Sequence, residues 1–110
     1  MNDSESNYSE TNHANQSTQQ KLHSETALMH WADLQKFFAQ GKILYVDNSL
    51  DLVEMAVLFA DDLADELAPH LLSELIVQPS NQLAKRWYDA KVELWTVVVA
   101  PYVLVQQQQA

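Results

Sequence analysis

The chain has no cysteine and only one glycine in its 110 residues. Without cysteine there is no disulfide, no thiolate metal site and no Cys–His nucleophile, which accords with a reducing compartment. With glycine at position 41 alone, no Gly-rich loop can cradle a phosphate, and no strained glycine turn can present a catalytic serine. Basic residues are scarce as well: 6 Lys and Arg stand against 15 Asp and Glu, a formal charge of −9. Such a surface repels a phosphate backbone, which argues against direct binding of nucleic acid. The cluster Lys85-Arg86, with Lys91 beyond it, is too small to reverse that field. Long apolar runs are also missing. The longest, Val97 to Val105, has nine residues, about half of what a membrane-spanning helix needs. The N-terminus has neither the basic nor the apolar region of a signal peptide. A cytoplasmic protein without membrane contact is expected, with no cofactor.

Hydrophobic residues make up 47% of the chain, an ordinary share for a globular protein. They are unevenly placed. Residues 1–20 are dominated by Asn, Ser, Thr, Gln and Glu, with Tyr8 as the one aromatic and no Lys or Arg. Such a segment cannot bury enough apolar surface to offset its ordering entropy, so a disordered acidic tail is expected there. A second polar tail is expected over 107–110. Between them, 21–106 reads as one small domain, and three tail acids (Asp3, Glu5, Glu10) leave 12 acids against 6 bases in the rest. A core that size must be well packed or shared with a partner.

The periodicity of the domain mixes helix and strand. Leu22, Leu28, Trp31, Leu34 and Phe38 recur at helical spacing, with a bend at His30 permitted, and Gly41 follows as the left-handed closing residue. Lys42 to Asp47 reads as a strand ending in the turn formers Asp47-Asn48-Ser49. Leu50 to Ala60 fits a helix with Ser49 as N-cap, or a strand in a hairpin with Ile43 to Val46; its Glu, Met, Ala and Leu favour helix. Asp61-Asp62 can cap a further helix, which Pro69 either kinks or divides. Leu75-Ile76-Val77 is a short strand, and Pro79-Ser80 opens a helix from Asn81 to Ala90. Val92 to Val105 is the strongest strand, apolar on both faces, with Pro101 pushing its second half toward an edge or a bulge. The fold expected is α+β: a small antiparallel sheet of about three strands packed with three to four helices. A long strand wanting cover on both faces suggests a homodimer.

Four segments in order carry a family resemblance: Trp31-Ala32-Asp33-Leu34 to Phe38-Ala39-Gln40-Gly41, then Leu50-Asp51-Leu52-Val53-Glu54-Met55-Ala56, then Asp61-Asp62, and finally Leu94 to Val105. Together they resemble the bacterial domain of unknown function 2288, over about residues 22 to 106. Members tend to have a Trp near Pro69-His70 and a Gly near Glu74, and this chain has neither. The resemblance implies a small stand-alone bacterial protein and brings no activity, cofactor or partner with it.

Three groups of residues could carry chemistry. Asp62, Glu66 and His70 share a helix face at four-residue steps, with Asp61 and Asp65 beside them; such an oxygen-rich set suits Mg²⁺ or Mn²⁺, against a plain solvated helix start. Asp51 and Glu54 form a carboxylate pair of the kind used in acid–base work, and also of the kind that simply favours a helix N-terminus. Lys85-Arg86-Trp87-Tyr88 sets two cations beside two aromatics, as a stacking site would, while helical spacing turns Trp87 and Tyr88 toward the core. The histidines at 13, 23, 30 and 70 have no metal-ligand spacing. The reading favoured is an accessory or interaction module that works by docking or self-association through Trp95, Val97, Val99, Tyr102, Trp87 and Trp31. A small metal-dependent enzyme or ligand binder using Asp61, Asp62, Asp65 and Glu66 is the alternative.

Overall fold

The computed structural model of the chain describes residues 18–109. The tail expected over 1–20 therefore lies outside the described residues up to 17, and 18–20 already belong to a helix, α1, running to 25. Then come β1 (Ala27–His30), a 3-10 turn (Trp31–Leu34), α2 (Gln35–Ala39), β2 (Ile43–Val46), α3 (Leu52–Ala60) and α4 (Ala64–Leu72). The chain ends with β3 (Ile76–Val77), α5 (Asn81–Asp89), β4 (Glu93–Val99) and β5 (Tyr102–Gln107). The class is α+β, but the sheet has five strands in the order β1-β4-β5-β2-β3, and it is mixed because β2 and β5 run parallel.

Two differences account for the extra strands. The first is β1. The stripe from Leu22 to Phe38 was expected to be helical, yet Ala27 to His30 pair antiparallel with Thr96 to Glu93. Trp31 N–H continues the contact by donating to Val92 O at 3.0 Å. The apolar outer side of β4 offers a ladder that outweighs the local helical spacing, which is the usual way tertiary pairing overrides propensity. The second is the division of Val92 to Val105. A cis Ala100–Pro101 bond forms the turn, and β4 folds back on β5 in a hairpin with Val99 opposite Tyr102. Pro101 thus sits between strands and keeps no strand at an edge; β5 lies inside the sheet. The strand also runs on to Gln107, opposite Leu94, within the expected C-terminal tail.

Alternation along β4 and β5 divides the core between the two faces of the sheet. On one face Val97, Val99, Leu104 and Val46 pack with Leu22 of α1, Leu52, Met55 and Ala56 of α3, and Leu67 of α4. On the other, Leu94, Val103, Val105 and Ile43 pack with Trp31, Leu34, and Ala84 and Trp87 of α5. The chain's own helices thus cover much of both apolar faces of the hairpin, leaving Trp95, Val98 and Tyr102 exposed.

Helix ends follow one pattern. Gly41 has φ +73° as expected after α2, with Lys42 N–H reaching back to Phe37 O. The equivalent residue after α3 is Asp62, after α4 Glu74 and after α5 Lys91, all with φ between +54° and +59°. Each is followed by the six-to-one hydrogen bond of a Schellman motif: Leu63 to Leu58, Leu75 to His70, Val92 to Trp87. Of the helices α2 to α5, three are therefore closed in the left-handed region by residues that are not glycine.

Candidate docking surface

The acidic group does not assemble. Asp61 is the C-cap of α3 and Asp62 its left-handed successor, so the pair ends one helix and leaves the next uncapped; the N-cap of α4 is Leu63, with no side-chain hydrogen bond. Asp65 and Glu66 occupy the first turn of α4, where carboxylates favour the helix dipole. Pro69 lies inside a single helix and neither divides nor ends it. Among the described residues no three His, Asp or Glu side chains come together as a metal site. Asp51, not Ser49, caps α3: its Oδ1 accepts the Glu54 N–H at 2.9 Å. Ser49 instead donates its N–H to Asp47 Oδ2 at 2.9 Å. Hydrogen bonding from Ser49 holds the Asp47 carboxyl below its ordinary range.

The basic–aromatic segment separates as well. Trp87 is buried edge-on against Trp31 and Tyr45, with ring centroids 5.1 and 5.3 Å away. Burial, with Asp47 nearby, raises the Tyr45 hydroxyl above its ordinary pKa. Lys85 pairs with Asp89 at 2.8 Å on the same helix. Tyr88 points outward, contrary to the expectation that it joins Trp87 in the core. It stands in an open cleft of about 340 Å³ with His30, Asp33, Lys91 and Val92. His30 is also 3.5 Å from Glu93 across the β1–β4 ladder, in an exposed pair.

Of the six residues expected to make contacts, Trp31, Trp87, Val97 and Val99 lie inside the domain's own core. Two remain available: Trp95, 40% exposed beside Leu28 of the edge strand, and Tyr102, 38% exposed at the start of β5. Tyr102 stacks edge-on against Phe59 of α3 at 5.6 Å and forms one wall of a second cleft, of about 360 Å³. The opposite wall is the α4 stripe Ala64, Leu67, Ala68 and Leu71, and Ala100-Pro101 close one end. Asp62 is the charged residue in its lining among those described. Leu71 is 45% and Leu72 84% exposed at the C-terminal end of α4, and Leu63 is exposed at its start.

Those leucines and Pro101 are the part of the surface that sequence reasoning missed. The signal was present: a nine-residue helix buries one stripe, and four leucines around α4 exceed it. Leu63, Leu67 and Leu71 follow one another at four-residue steps, and Leu72 falls off that line.

The model of the family described as "Protein of unknown function (DUF2288)" matches residues 17–107. Among solved structures, the NMR solution structure of PA1075 from Pseudomonas aeruginosa is similar at a TM-score of 0.74 and 39% identity. The match covers 86% of this chain and 87% of that one. No curated protein matches.

Proposed function

We propose that this chain, which belongs to that family, is a protein-docking module whose contact surface is the cleft between α4 and the β4–β5 turn. One observation carries the reading. Leu71 and Tyr102 remain exposed in the lining of an apolar trough, although the chain's helices cover most of both faces of its sheet elsewhere. Exposed apolar groups that converge on one concave surface lower the free energy of the protein when a partner covers them, by about 25 cal/mol for each Å² removed from water. The setting proposed is the bacterial cytoplasm; a relative from Pseudomonas aeruginosa supports the bacterial part. Among the described residues no helix is long and apolar enough to cross a membrane.

A photo-cross-linking amino acid placed at Leu71 of the full chain, in its native cell, tests the reading. A discrete adduct is expected from Leu71 and none from the same label at Arg86, on the opposite helical layer. Adduct mass distinguishes a second copy from another protein. Equal or absent labelling at the two positions would remove the basis for this surface.

A further inference from the structure

We infer that the occupant of the α4–hairpin cleft is a basic amphipathic helix supplied by a different protein; this rests on the docking reading above. Shape selects the helix. One wall is a helix ridge in which Ala64 and Ala68, one turn apart, are the small residues and Leu67 and Leu71 the large ones. Such a ridge and groove at three- and four-residue steps accepts the ridge of another helix. An extended peptide gains most of its affinity from a free backbone edge, and neither wall offers one: α4 is internally bonded and β5 is paired on both sides.

Charge selects its composition. Asp62 lines the cleft, Asp61 precedes it, and Asp65 adjoins Ala64 on α4. From Lys42 to Lys85 the sequence has no Lys or Arg between, and His70 aside every charged residue in that span is a carboxylate. A partner with Lys or Arg flanking its apolar stripe meets these carboxylates; wrong partners are rejected by like charge. Two nearer occupants are disfavoured on the same ground. A second copy of the chain docking through this surface would set carboxylates against carboxylates. The chain's own residues 1–17 carry Asp3, Glu5 and Glu10 with no Lys or Arg.

The probe is a synthetic amphipathic helix of Leu and Lys, with a twin in which Glu replaces every Lys, each titrated into the full chain by NMR. The Leu/Lys peptide is expected to saturate and to shift the amides of Ala64, Ala68, Leu71 and Tyr102. Its affinity should fall about tenfold or more as salt screens the charges. Ala68→Gln, which fills the trough on an exposed helix face without changing charge, should abolish binding while leaving the melting temperature unchanged. Asp62→Asn with Asp65→Asn should weaken it several-fold. Binding of the Leu/Lys peptide that survives Ala68→Gln would mean diffuse attraction to an acidic surface and would overturn the inference. Equal binding of the Glu twin in the cleft would overturn the charge argument and leave docking standing. A concentration-dependent dimer that Ala68→Gln dissociates would identify the second copy as occupant and likewise overturn it. No binding of either peptide, with no dimer, would remove the docking reading along with this one.

Discussion

Glu74→Gly should make this protein more stable. Glu74 follows α4 at φ +59°, the left-handed residue of a Schellman motif completed by Leu75 N–H to His70 O at 2.9 Å. A side chain with a Cβ costs roughly 1–2 kcal/mol in that region, because Cβ approaches the following carbonyl. Glycine escapes the clash, though its freer unfolded chain takes back about 0.4–1 kcal/mol. The difference is a gain of about 0.5–1 kcal/mol. Nothing offsets it: Glu74 is exposed, and among the described residues no hydrogen bond or ion pair holds its carboxylate. In a domain this small, 1 kcal/mol moves the melting temperature by roughly 4–8 °C, so an increase of about 2–8 °C is expected by calorimetry. Ser73→Gly, one residue earlier at φ −82°, provides the control and should lower stability, since a right-handed position gives glycine no advantage. Gly41→Ala is the mirror experiment. An added Cβ there would lie 3.7 Å from Gln78 Nε2, an ordinary contact, so its loss of about 0.5–1 kcal/mol measures the backbone alone. A lower melting temperature for Glu74→Gly, with Gly41→Ala neutral, would refute the reasoning.

Asp51→Ala removes the side chain that accepts the Glu54 N–H at 2.9 Å and should cost about 1 kcal/mol in urea denaturation, with no change in the slope. Leu104→Ala, buried on the face of the central strand β5 that α3 and α4 cover, should cost about 2–5 kcal/mol by the same measurement. The Asp47 carboxyl, lowered by hydrogen bonding from Ser49, adds stability that is present above its unfolded value of 3.8 and lost as pH falls through the folded one. Urea midpoints of the wild type and Asp47→Asn should therefore differ near neutral pH and converge in acid; a constant gap across the range would exclude that linkage.

Local chemistry made the helices legible, and long-range pairing hid the sheet. Ser80 caps α5 through the Leu83 N–H at 3.1 Å, and Gly41 closes α2, both written in residues that do only a few things well. The strand β1 has no such punctuation. Its four residues, Ala-Leu-Met-His, suit a helix at least as well as a strand, and only the open side of β4 decides between them. The same limit applies to the surface. A Trp or Tyr in a sequence reveals how much apolar area is at stake, but exposure depends on where the covering helices stop. Trp31 and Trp87 sit beneath the second helical layer and stabilise the domain itself. Tyr102 begins its strand beside the turn, and Val98 stands near the other end of that turn, 55% exposed. Neither could be distinguished from Val97 or Val99 by composition, since all belong to one apolar run. What separates Val98 from Val97 and Val99 is alternation: Val97 and Val99 point into the face packed by α3 and α4, and Val98 points to the other face, where it stays exposed. An apolar run divided by a proline is therefore better read as two strands joined by a turn than as one long strand. The surface proposed for docking lies where that turn meets the helix alongside it, α4.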